Sequence, residues 1–147
     1  MSDETKEIGD ATEETEKRKL PDVHDPMLST LLDTFGKYGV SIGLTLIVDG
    51  TIVSGTTIDR AEFLMSLARQ LDKAWPSQKE AGQAWGKTFT ELVPLSDEER
   101  ELIRKMGWVH LKDATLLGSD GKYYKIPLWR GLLTHVGGWS LGIPNFE

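Results

Sequence analysis

Residues 40–58 read VSIGLTLIVDGTIVSGTTI. Val40, Ile42, Leu44, Leu46 and Val48 alternate with Ser41, Gly43 and Thr45, a period of two that fits a strand buried on one face. Asp49-Gly50 then separates this run from Thr51–Ile58. A type I′ turn needs positive φ at both central residues, which Asp-Gly supplies, so the stretch reads as a β-hairpin. A two-residue loop pairs Val48 with Thr51, Leu46 with Val53 and Leu44 with Gly55. Glycine in mid-strand at Gly55 marks a sharp bend or a bulge, as in a small barrel.

Working outward, Asp25-Pro26 is an N-cap followed by proline at the first helical position. Leu28, Leu31, Leu32 and Phe35 follow at helical spacing and Gly39 is a suitable stop, so a helix is expected over about 26–37. After the hairpin, Asp59-x-x-Glu62 resembles a capping box. Phe63, Leu64, Leu67, Ala68, Leu71 and Trp75 then form a helical stripe ended by Pro76. Ser77-x-x-Glu80 opens a second candidate helix with Trp85 and Phe89, which Gly82 and Gly86 weaken and Pro94 breaks. Ser96-x-x-Glu99 opens a charged stretch with Leu102, Ile103 and Met106. Residues 59–106 are therefore read as an insert of one to three helices.

The last third returns to strands. Trp108–Leu117 is followed by the turn-forming Gly118-Ser119-Asp120-Gly121-Lys122. Tyr123–Val136 reads as a strand kinked by proline near its start. Gly137-Gly138 is expected to make a tight turn before a short strand over Trp139–Ile143. The expected class is α+β, mainly β: one N-terminal helix and a strongly bent five-stranded antiparallel barrel, with the helical insert between strands two and three. Helix, five strands and an Arg130-Gly131 pair in strand four resemble the Sm-like fold, from which the long insert departs. That resemblance implies architecture only.

Charge and composition bound the function. The 147 residues carry 17 basic and 23 acidic side chains, a net charge of −6. Nine of the acids and four of the bases fall in residues 1–26, so −5 of the total sits there and −1 on the remainder. This leading segment has no aromatic residue and too little apolar surface to offset its ordering entropy, so 1–26 is expected to be a disordered acidic tail before a single domain, 27–147. The absence of cysteine excludes disulfides, thiolate metal sites and thiol nucleophiles. No apolar run has the length of a membrane span and the N-terminus lacks signal-peptide features, so a cytoplasmic location is the default.

His24, His110 and His135 show no metal-ligand spacing, although strand pairing is one way to bring His110 near His135. No nucleophile elbow, phosphate loop or dinucleotide fingerprint is present. The expectation is no catalytic residue, no cofactor, no metal and no small-molecule substrate. RNA binding is the alternative, because Arg130 beside Trp129 is able to stack a base. Against it stand the near-neutral body, the acidic tail and a single asparagine, Asn145. The five tryptophans, Trp75, Trp85, Trp108, Trp129 and Trp139, suit either a core or a protein interface. Trp129, Arg130, Trp139 and Trp108 are the candidate interface residues.

Several segments in order are similar to the gas vesicle accessory protein U family. They are GVSIGLTLIVDGTIVSGTTI (39–58), FLMSLARQL (63–71), VHLKDATLL (109–117) and IPLWRGLLTHVGGWSLG (126–142). Trp139 stands where the family often has Phe, and the charged leading segment is a departure. The resemblance implies a non-enzymatic role in the formation or clustering of gas vesicles. Its implied partners are the vesicle shell or sister accessory proteins, with homo-oligomers possible, RNA disfavoured and no membrane contact.

Overall fold

The computed structural model describes residues 24–74, 76–93, 96–99 and 107–146. The expected disorder of residues 1–23, the stripe residues Leu102, Ile103 and Met106, and Trp75 all lie outside the described residues. The elements are α1 (Pro26–Lys37), β1 (Gly43–Val48), β2 (Thr51–Thr57), α2 (Arg60–Ala74), α3 (Lys79–Glu91), β3 (Trp108–Leu117), β4 (Tyr123–Leu132) and β5 (Val136–Leu141). A 3₁₀ turn, Leu133–His135, links β4 to β5. The architecture is α+β, on one antiparallel five-stranded sheet in the order β4-β3-β2-β1-β5.

The hairpin forms in the expected register, with Val48 opposite Thr51, Leu46 opposite Val53 and Leu44 opposite Gly55. Asp49 and Gly50 both take positive φ, 49° and 82°, as a type I′ turn requires. Gly55 marks a bulge: the register of β2 against β3 shifts between Ser54 and Thr56. A Cβ at Gly55 would stand 3.0 Å from the Lys112 carbonyl oxygen and 3.2 Å from Ala114 Cα, so only glycine lets the strands approach here. Across the bulge, Asp113 adopts φ 50°.

Alternation places Leu44 and Leu46 of β1, Val53 of β2, and Val109, Leu111 and Ala114 of β3 in the core, where Leu28 of α1 and Leu133 close over them. Fully burying such a leucine stabilises by about 1.5–3 kcal/mol. Asp25 caps α1 by accepting the Met27 N–H at 2.9 Å, with Pro26 at the first position, as the sequence indicated. At α2, Asp59 accepts the Glu62 N–H at 2.7 Å. The box is not reciprocal, because Glu62 reaches Lys112 at 3.3 Å instead. Within the insert α2 and α3 pack together: Gly82 of α3 sits where a Cβ would meet the Leu71 carbonyl oxygen at 3.0 Å, so the two approach closely.

Three expectations need correction. Ser77 does not open α3, which begins at Lys79 after Gln78. The fourth strand stops at Leu132, and Gly137-Gly138 lies inside β5 rather than in a turn. There Ile47 pairs with Gly138 and Val48 with Val136, so the glycines accommodate a bulge against β1. Finally, the barrel is not closed. β4 and β5 are the two sheet edges, with no ladder between them among the described residues. β5 is taken up by β1, and Pro127 on β4 has no N–H to offer.

The sheet is nonetheless strongly curled. In a flat sheet β4 and β5 would stand about 19 Å apart, four spacings of about 4.8 Å. The four residue steps from Leu132 to Val136 span at most about 14 Å even when extended. At the opposite ends of these strands, Phe146 stacks edge-on to Tyr123, ring centroids 5.0 Å apart. The segment after β5 runs back over the outer face of the sheet, where Thr45 Oγ1 donates to the Gly142 carbonyl at 2.8 Å.

Candidate interaction site

The pairing of β3 with β4 explains the Trp129-Arg130-Gly131 triplet. Leu111 lies opposite Trp129, His110 opposite Arg130 and Val109 opposite Gly131. Leu111 and Val109 face the core, so Trp129 and Gly131 do too, whereas Arg130 and His110 project from the outer face. The Trp129 indole lies over Gly131, and a Cβ there would fall 2.3 Å from Trp129 Cη2. Trp129 is partly buried against the core.

On the outer face the Arg130 guanidinium sits 3.8 Å from the centroid of the Trp108 ring, a cation–π contact. Trp108 is two residues along β3 from His110, hence diagonal to Arg130 and within reach of its long side chain. His110 is only 8% exposed and its ring centroid is 4.7 Å from that of Phe63 on α2. Burial, and then the positive charges of Arg130 and Arg60, push its pKa down to about 4, with Asp59 acting in the opposite sense. His110 is therefore neutral near pH 7. Burial and the Arg60 charge likewise lower the Arg130 pKa.

A cavity of about 380 Å³ opens beside this group, between α1, the first turn of α2 and the start of β3. Asp33, Asp59, Arg60, Trp108 and His110 all line it. Glu62 at its rim is engaged by Lys112. No group of three or more His, Asp or Glu side chains suited to a metal occurs among the described residues.

Of the four candidate residues, the structure brings together Trp108 and Arg130. Trp129 and Trp139 lie on opposite sheet edges, both packed against the core. The Trp139 Nε1–H donates to Asp25 Oδ2 at 2.8 Å. Arg130 and Trp129 point to opposite faces and form no joint stacking platform. His110 does not approach His135 through strand pairing: it pairs with Arg130, and His135 Nδ1 lies 2.9 Å from Asp49 Oδ2. Arg60 was missed, because only the fold carries it to a residue seventy positions away.

Two exposed apolar features lie elsewhere. The register aligns Ile47, Ile52, Leu117 and Tyr123 in one cross-strand row on the outer face. Ile47 is 46% exposed and Tyr123 50%. On α3, Trp85 stacks on Phe89 with ring centroids 6.2 Å apart, and Leu92 continues this exposed ridge.

The structure thus defines a small α+β protein with one curled antiparallel sheet, a helical insert and exposed apolar side chains among its described residues. Over residues 25–144 the chain matches the family model described as gas vesicle protein GvpU-like, and it belongs to that family. No curated protein and no solved structure matches it.

Proposed function

We propose that this gas vesicle-related protein is a non-enzymatic accessory factor that acts by protein–protein contact in vesicle formation or clustering. The family match over residues 25–144 carries the reading. The row Ile47–Ile52–Leu117–Tyr123 and the Trp85–Phe89–Leu92 ridge support it, because apolar side chains presented together mark interaction surfaces. Trp108 and Arg130 extend the contact surface on the same outer face as the row, and Trp129 and Trp139 hold its framework. The partner is the vesicle shell or a sister accessory protein, met in the cytoplasm, and the acidic leading segment tunes self-association by charge. No helix among the described residues is long and apolar enough to cross a membrane.

Co-flotation with purified gas vesicles tests the proposal. Binding that Ile47→Lys or Trp85→Lys weakens while the fold persists is the expected result. A folded wild-type chain that never co-floats, with or without sister accessory proteins, overturns it.

A further inference from the structure

The residues after β5 lie against the outer face of the sheet instead of trailing from it. Gly142 continues the β5–β1 ladder, its N–H donating to the Gly43 carbonyl at 2.8 Å. Its φ of 96°, a value glycine adopts freely, then turns the chain out of the strand. The Gly142 carbonyl accepts from Thr45 Oγ1 at 2.8 Å, and Ile143 settles over Gly43, where a Cβ would stand 3.0 Å from Ile143 Cγ1. Three residues on, Phe146 meets the Tyr123 ring edge-on.

Tyr123 belongs to β4, three strands across from β1. Three sheet spacings come to about 14 Å. The four residue steps from Gly142 to Phe146 reach about 14 Å only when extended. Pro144 suits this, since it fixes its own φ and biases Ile143 toward the extended region. The segment therefore runs as a strap over β2 and β3. Ser54 of β2, which points outward with its Oγ 2.6 Å from Thr45 Oγ1, is only 1% exposed, as expected beneath such a cover. The hold is light: Ile143 stays 50% exposed, and the anchors are two hydrogen bonds at Gly142 and one ring pair at Phe146. Segments held so lightly open locally without global unfolding.

We infer that the outer face of β1–β4 is a docking site for an extended segment carrying a branched aliphatic side chain and, three residues later, an aromatic ring, and that residues 142–146 fill it as a displaceable strap. The seated strap defines that chemistry: Gly43 leaves the space that Ile143 takes, and Tyr123 offers its ring to Phe146. A partner segment of the same kind gains the face only by lifting the strap, whose tether gives it a high effective concentration and so sets the threshold for docking. Lifting Phe146 also frees Tyr123, the last member of the row that begins at Ile47. Only the partner's link to vesicles rests on the proposed function, and a test without vesicles lets the two fail separately.

The test uses the full chain and, as probe, a fluorophore-labelled peptide of residues 141–146, LGIPNF. Ile143→Ser with Phe146→Ser opens the strap and leaves the core untouched. Fluorescence anisotropy should show the peptide binding this opened chain about tenfold or more tighter than wild type, whose face is already filled. Adding Gly43→Val, which fills the aliphatic position, or Tyr123→Ala, which removes the ring, should cancel the gain. Circular dichroism checks that each variant is folded. Should Gly43→Val unfold, Tyr123→Ala decides alone, because that ring is half-exposed. No peptide binding to the folded, opened chain overturns the inference, and so does equal binding to the wild-type and opened chains. Binding that survives the Tyr123 and Gly43 changes overturns the assignment of the face. Equal binding by a scrambled peptide of the same composition overturns the spacing.

Discussion

The Trp139 indole N–H and Asp25 Oδ2 are 2.8 Å apart, so the last strand is hydrogen-bonded to the cap of the first helix across 114 residues of chain. Asp25 uses its other oxygen to accept the Met27 N–H at 2.9 Å. One carboxylate therefore both starts α1 and fixes it to β5. This matters because Leu28, in the first turn of α1, is 1% exposed and belongs to the core.

Both hydrogen bonds favour the ionised form, and the Trp139 bond is the larger cause of a lowered Asp25 pKa. A depressed carboxylate contributes stability above its unfolded pKa and loses it as pH falls through the folded value. Asp25→Ala should lower Tm by more than Asp25→Asn, since asparagine keeps an acceptor for the cap. The deficit of either variant against the wild type should shrink as the pH falls below the ordinary carboxylate value of 3.8. Thermal unfolding followed by circular dichroism at two pH values checks this.

Gly131 and Gly55 fail for different reasons when given a methyl group. At Gly131 the added Cβ meets the Trp129 ring at 2.3 Å, so Gly131→Ala must drive the indole off its shelf and out of the core. At Gly55 it meets backbone of β3 at 3.0 and 3.2 Å, so Gly55→Ala must separate two central strands. Each is expected to cost about 1–3 kcal/mol by overpacking. Trp129→Leu combined with Gly131→Ala should recover part of the first loss, and Gly55→Ala should show no such rescue. Urea unfolding of the single and double variants measures both.

The hairpin was legible because its information is local: alternation, a turn dipeptide and Gly55 settle register within twenty residues. The helix at 26–37 was legible for the same reason, through Asp25, Pro26 and the leucine spacing. The Gly137-Gly138 bulge was not, because a glycine pair serves a turn and a bulge equally well and only the edge of β1 decides between them. The open sheet edges were missed similarly, since closure depends on which strand claims β5. The pairing of Trp108 with Arg130 needed the β3–β4 register, and Arg60 needed the placement of α2, neither of which neighbouring residues encode.

His110 makes the fold acid-sensitive in a defined window. Its folded pKa of about 4 lies below the ordinary value of 6.5. The unfolded chain therefore binds the proton more readily between these values, and stability falls as pH drops from about 6.5 toward 4. The site's contribution is on the order of 3 kcal/mol, fully present above pH 6.5. His110→Phe keeps a ring against Phe63 and takes no proton. Its urea stability should change less between about pH 7 and pH 4.5 than that of the wild type. Equal losses in the two proteins would assign the acid sensitivity to other groups.

Adjacent residues of β1 separate folding from binding. Leu46 is 0% exposed and Ile47 46% exposed, because successive strand residues face opposite sides of the sheet. Leu46→Ala leaves a cavity among Val53, Leu111 and Leu28 and should cost about 2–5 kcal/mol. Ile47→Ala removes a side chain that water already reaches, and should stay within about 0.5 kcal/mol of wild type. The order reverses for association. The row from Ile47 to Tyr123 crosses four strands, so Ile47→Lys with Tyr123→Ser places a charge and a hydroxyl in the proposed contact without disturbing the core. Vesicle co-flotation should fall at least tenfold for this double variant while its urea midpoint stays near that of wild type. A loss of both together would show that the row supports the fold, and an unchanged co-flotation would move the contact surface to the Trp85 ridge.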